Sequence, residues 1–158
     1  MKQLFLFFYN FFENFIHLWR IKFFLSRNVI LSKPIIFDIG SHKGKIVNLI
    51  KHLYVHSVIY CFEPNKLMNP NLKKIGKNIK VYNYAVGDKI EYRKLLINKI
   101  DLTNTLSKIN KNSFYLKIKN LITHKSENSD NYKKVKVISL KNFCKIKKIK
   151  SIDFLKID

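Results

Sequence analysis

Residues Pro34 to Gly44, PIIFDIGSHKG, constrain this chain more than any other stretch when taken with YCFEPN at Tyr60 to Asn65. A short apolar run, Ile35 to Phe37, ends in Asp38 and then Gly40, and Gly44 follows four positions after Gly40. A helical pattern comes next. A second apolar run, Val58 to Phe62, then ends in Glu63. Strand, glycine turn, helix, strand, acid is the order of a nucleotide-binding βαβ unit. Gly40 lets the backbone come close to a ligand, and a helix start offers free N–H groups. A carboxylate at the tip of the second strand accepts both hydroxyls of a ribose. A tight βα turn that holds no ligand is the competing reading.

The glycine spacing narrows the ligand. A dinucleotide-binding turn reads GxGxxG, with amides cradling a pyrophosphate. DIGSHKG reads D-x-G-x-x-x-G, with an acid in front of the turn. That acid is unwelcome beside a pyrophosphate and useful beside an ammonium. S-adenosylmethionine carries a ribose, no phosphate and an amino-acid tail with an ammonium, so it is the expected cofactor.

At 158 residues the chain is long enough for one domain with a real core. Cys61 and Cys144 lack CxxC spacing and clustered histidines, so both are expected to be buried or idle thiols, and no metal site is expected. The formal net charge of +21 would ordinarily point to nucleic acid or an anionic membrane. The basic residues are nearly all Lys, with Arg20, Arg27 and Arg93 the exceptions, and Ile and Asn are plentiful too. Those three residue types rise together in AT-rich coding sequence. Phosphate and base recognition favours the bidentate fork of Arg, so a nucleic-acid partner is not expected.

Residues 1–30 form one expected unit and residues 31–158 the other. Met1 to Leu25 is aromatic-rich but interrupted by Asn10, Glu13, Asn14, His17 and Arg20, which suits no spanning helix. It has no small-residue cleavage site of a secretory signal, so a cytoplasmic protein is expected. Phe8, Phe11, Phe12, Phe15, Leu18 and Trp19 recur at helical spacing, which predicts an amphipathic helix. Its apolar stripe has two uses open to it. One is packing on the domain or a partner subunit; the other is peripheral membrane contact, with Trp19, Arg20 and Lys22 near the headgroups.

Further on, the pattern predicts a strand over Ile35 to Asp38 and a helix over Lys43 to Tyr54 with Ile46, Leu49, Ile50 and Leu53 on one face. A strand over Val58 to Phe62 and a short helix over Leu67 to Ile75 follow. The third strand spans Ile79 to Ala85, AVGD makes a turn, and Ile90 to Asn98 forms an antiparallel strand. Lys99 to Lys134 is polar and weakly periodic and is expected to be a surface insertion. Val135 to Ile138 is a strand, Leu140 to Ile146 a helix, and Ser151 to Asp158 a further buried strand. Alternation of β and α with apolar, β-branched strands predicts an α/β fold around a parallel sheet.

Four segments stand in one order: PIIFDIGSHKG, YCFEPN, NIKVYNYAVGD, and VKVISL followed by SIDFLKID. Together they resemble the FkbM-type family of S-adenosylmethionine-dependent methyltransferases, from about Pro34 to the last residue. The resemblance implies the Rossmann-like class I methyltransferase fold and O-methylation of a hydroxyl on a sugar, glycolipid or other secondary metabolite. It implies that Asp38 and Gly40 line the methionine end of the cofactor, while Gly44 allows close approach of the helix. Glu63 would hold the ribose hydroxyls, and Asn83 and Ala85 would border the adenine. Asp158 falls where the family places an acid beside the transferred methyl, as base or orienter. His42 and Asp88 are expected to be an exposed polar residue and a turn residue. TNTLS at Thr103 to Ser107 resembles a small-hydroxyl segment of the family.

Two departures bear on these expectations. Family members carry an acid after the leucine of the VKVISL-like strand, and this chain has Lys141. Members also continue past LKID with an acid- and glycine-containing turn and further strands, so an incomplete parallel sheet is expected: a fragment, a truncated gene product, or a half domain completed by a partner. The alternatives to an enzyme are an inactive fragment or a non-catalytic binding protein with a basic, membrane- or polyanion-associating surface. A nucleic-acid methyltransferase is a third reading, which the scarcity of Arg opposes.

Overall fold

The computed structural model describes residues 2–97 and 132–158. The order is α1 (Lys2–Asn28), β1 (Ile35–Ile39), α2 (Lys45–Leu53), β2 (Val58–Phe62), a 3-10 turn (Lys66–Met68) and α3 (Asn69–Lys74). There follow β3 (Ile79–Tyr82), β4 (Tyr84–Val86), β5 (Glu91–Leu96), β6 (Tyr132–Ile138), α4 (Leu140–Lys147) and β7 (Phe154–Ile157). A parallel four-stranded sheet has the order β3-β2-β1-β7, and a smaller sheet has the order β4-β6-β5. β1 and β2 are apolar on both faces because both faces are covered, as a central parallel pair requires.

Strand alternation divides the interior in two. Ile36, Ile59 and Cys61 face a layer made by Leu25 of α1, Ile46, Val47 and Ile50 of α2, and Leu72 of α3. Phe37, Ile39, Tyr60 and Phe62 face the other way, onto Phe143 of α4 and Ile138. Phe143 stands edge-on to Phe62, at 4.9 Å between ring centroids, and to Tyr82, at 4.8 Å, the offset that aromatic quadrupoles favour. Ala85, Leu95, Val135 and Val137 make a third, small core inside the second sheet.

This is the α/β architecture with a parallel sheet and an N-terminal helix that the sequence predicts, with local corrections. The second helix begins at Lys45 and not Lys43, because Gly44 sits at φ +78°, outside helical space. Its buried residues are Ile46, Val47 and Ile50, and Leu49 lies half-buried beside them. The single third strand expected over Ile79 to Ala85 is two strands in different sheets. The break falls at Asn83, whose amide nitrogen donates to the carbonyl of Glu63 (3.1 Å) and to Asn69 Oδ1 (2.8 Å) and so ties the chain to the β2–α3 loop. The strand at the chain's end is only half-buried, with Leu155 41% and Ile157 68% exposed, since nothing among the described residues covers that end of the sheet's second face. Of the expected insertion Lys99 to Lys134, Tyr132 to Lys134 belong to β6 and the rest, TNTLS included, lies outside the described residues.

α1 also departs from the single stripe. Leu18, Ile21 and Leu25 pack on the domain, while Phe15 and Trp19, expected on the same stripe as Leu18, are 60% and 58% exposed. The Tyr54 hydroxyl fastens the end of this helix, donating to the carbonyl of Leu25 at 2.8 Å and lying 3.0 Å from that of Val29.

Candidate active site

The carboxyl ends of β1, β2 and β7 converge on one spot. β1 places Asp38 opposite Cys61 of β2 and opposite Lys156 of β7. Gly40 then turns the chain at φ +76°, which only glycine adopts freely. Its N–H donates to the carbonyl of Phe62 (2.9 Å), and that of Asp158 donates to Ile39 (3.1 Å), so all three strand ends are locked together. A Cβ on Gly40 would lie 3.2 Å from Asp158 Cβ, so the turn and the β7 end touch.

The Asp38 carboxylate is fully buried. Lys156 Nζ sits 3.2 Å from its Oδ1, 3.1 Å from Asp158 Oδ2 and 3.3 Å from the Gly40 carbonyl oxygen. The approach to Asp38 is close enough for an ion pair but lies off hydrogen-bonding angles. Both Asp38 oxygens, together with His42 Nε2, are buried without a hydrogen-bond partner among the described residues. Burial pushes the Asp38 pKa above its ordinary 3.8, outweighing the opposite pull of Lys156. The same burial, helped by the nearby Asp38 charge, pushes the Cys61 thiol up to about 12.

Glu63, 5% exposed, is held by main-chain donors. Its Oε2 accepts the N–H of His42 and its Oε1 that of Asn65, each at 2.8 Å. His42 reaches this bond through a left-handed backbone, φ +46°. Glu63 therefore clamps the glycine turn to the tip of β2 while each oxygen keeps a second lone pair. His42 is half-buried, not the exposed residue expected.

The remaining predicted residues divide. Asn83 lies next to Glu63, with its amide committed to Asn69 and to the Glu63 carbonyl. Ala85 is the correction: its methyl belongs to the small core with Leu95, Val135 and Val137, because the break at Asn83 carries it into the second sheet. Gly44 serves packing, since a Cβ there would meet Ile75 Cδ1 at 2.6 Å and Leu72 Cδ2 at 2.8 Å. It thus admits α3 and its C-cap against the start of α2. Asp88 is exposed in its turn, as expected. Next to Pro64 and Asn83 a cleft of about 680 Å³ opens between β3 and β6, lined also by Lys66, Tyr84, Tyr92 and Lys136. Among the described residues no group of three His, Cys, Asp or Glu converges as a metal site.

Sequence reasoning missed Lys156, Asn65 and Asn69. A signal for Lys156 was present: it and Asp38 are the charged residues inside two otherwise apolar strands. Pairing them requires knowing that β7 lies beside β1 and in which register.

A family model for the methyltransferase FkbM domain matches residues 38–158. No curated protein matches the chain.

Proposed function

The chain belongs to the FkbM methyltransferase domain family, and on that premise we propose that it transfers a methyl group from S-adenosylmethionine to a hydroxyl of a small-molecule or glycan acceptor, such as a sugar, glycolipid or other secondary metabolite. The observation that carries this reading is the charge balance at Asp38. Two carboxylates, Asp38 and Asp158, share one resident ammonium, Lys156. One ammonium cannot neutralise both, and among the described residues neither buried Asp38 oxygen has a hydrogen-bond partner. An ammonium, as in the amino-acid tail of the cofactor, fits that deficit. Asp38 and the Gly40 carbonyl would receive it, and the spare lone pairs of Glu63 would accept the ribose hydroxyls. Asn83, its amide engaged by Asn69 and the Glu63 carbonyl, would border the adenine.

The cofactor supplies a methyl already activated on a sulfonium, so the protein's task is alignment and removal of one proton. An acceptor hydroxyl that took this methyl would have to give up its proton to a base. Asp158, with a side chain 74% exposed and steadied by Lys156 at 3.1 Å, is the candidate base or orienter.

Calorimetric titration of the chain with S-adenosylhomocysteine tests the reading. Binding is expected, and Glu63→Gln should weaken it by roughly 10- to 100-fold, the worth of one hydrogen bond to a charged group. Absence of binding, or an affinity unchanged in a Glu63→Gln protein with wild-type circular dichroism, would overturn it.

A further inference from the structure

α1 carries two apolar faces, and the domain uses one of them. Leu18, Ile21 and Leu25, spaced i, i+3, i+7, turn inward onto the core. On the opposite side Phe15, Ile16, Trp19 and Phe23 form a second stripe, 60%, 53%, 58% and 48% exposed. The rings of the outer stripe touch one another and a cation. Trp19 and Phe23 stack at 5.8 Å, and the Arg27 guanidinium lies 4.4 Å over the Phe23 ring. At 100° per residue Arg20 and Arg27 follow one border of the stripe and Lys22 the other, all three exposed.

Aromatic residues along the middle with cations on both borders match the cross-section of a bilayer interface: rings at the acyl boundary, cations among phosphates. A second copy of the chain is the obvious rival occupant. Charge opposes it, because each copy brings 31 Lys and Arg against 10 Asp and Glu. The same charge favours an anionic surface, whose attraction grows with each Lys or Arg near it. Among the described residues no helix is long and apolar enough to cross a membrane, so the helix would lie in the interface plane.

We infer that the outer face of α1 docks the domain flat on an anionic lipid surface through Phe15, Ile16, Trp19 and Phe23, with Arg20, Lys22 and Arg27 on the phosphates. This is independent of methyl transfer: the inner face keeps the domain packed whether or not the outer face is occupied.

Trp19 is the single tryptophan, so its emission reports the event directly. The full chain is mixed with vesicles of phosphatidylcholine alone, or of equal parts phosphatidylcholine and phosphatidylglycerol, and floated on a density gradient. Flotation with a blue shift of Trp19 emission is expected on the anionic vesicles, with partition about 10- to 100-fold weaker on phosphatidylcholine alone. Phe15→Ser/Phe23→Ser should lose flotation while keeping the wild-type melting curve, since neither ring belongs to the core. Arg20→Gln/Lys22→Gln/Arg27→Gln should lower anionic partition by a similar factor and leave the apolar stripe intact. No flotation and no shift by the wild-type chain would overturn the inference. So would equal partition into both vesicle types, or a vesicle-free dimer in sedimentation velocity that Phe15→Ser/Phe23→Ser dissolves.

Discussion

Replacing Lys156 by methionine keeps the length of the side chain and deletes the ammonium set against Asp38. The two side chains are 10% and 1% exposed, so water screens the pair weakly. At 3.2 Å and an effective dielectric constant of about 20 their attraction is about 5 kcal/mol. Part of that is offset by the desolvation both charges have already undergone, and stripping one partner from a buried pair costs about 3–5 kcal/mol. Lys156→Met should therefore lose about 3 kcal/mol at neutral pH, a fall of about 1.5 M in the urea midpoint for an m-value near 2 kcal/mol/M. The loss should depend on pH. Burial raises the Asp38 pKa above 3.8 in the folded protein, so folding favours the protonated acid. Its contribution to stability is thus fully present below 3.8 and is lost as pH rises through the folded value. Without Lys156 the rise is larger and so is the loss. Urea melts of the two proteins should converge toward about pH 4, near the free carboxyl's own titration, and diverge above it. Asp38→Asn added to Lys156→Met should recover most of the difference at neutral pH. A penalty equal at acid and neutral pH, or a double variant no better than Lys156→Met, would refute the charge reasoning.

Gly44→Ala should cost about 2–4 kcal/mol, combining a left-handed backbone with a Cβ that overpacks Leu72 and Ile75. Gly76→Ala is the matched comparison: its Cβ would meet only Lys51 Cε at 3.5 Å, and stability should stay within about 0.5 kcal/mol in the same urea melts. A thiol reagent at mildly alkaline pH should label half-buried Cys144 in the folded chain and leave Cys61, pushed up to about 12, unlabelled until urea unfolds it. Mass spectrometry of the labelled peptides distinguishes the two sites.

The glycine turn and the acids that meet at it were legible in the sequence, for a local reason. Asp38, Gly40 and Glu63 lie at the ends of short apolar strands, and strand ends and glycine turns are written in adjacent residues. The parallel pairing of β1 with β2 follows from the helix between them, because a strand–helix–strand unit closes in one way. What stayed illegible involves partners distant along the chain. Ala85 reads as the end of the third strand, and only the tether from Asn83 to Glu63 and Asn69 carries it into another sheet. Leu18 and Trp19 read as neighbours on one aromatic stripe, and which of them faces the domain depends on where α2 lies. The Asp38–Lys156 pair joins residues more than a hundred positions apart, through a register that no local pattern encodes.

Local chemistry thus settled the fold class, the glycine turn and the two acids that flank it. The charge state of that turn was left to the tertiary arrangement. Parallel pairing of β7 with β1 sets Lys156 against Asp38 in a place where water screens the pair only weakly. The acid that the sequence marks in front of the glycine turn becomes a desolvated one, set against a single ammonium and without a hydrogen-bond partner among the described residues. Its chemistry comes from that burial, and burial is a property of the packed chain.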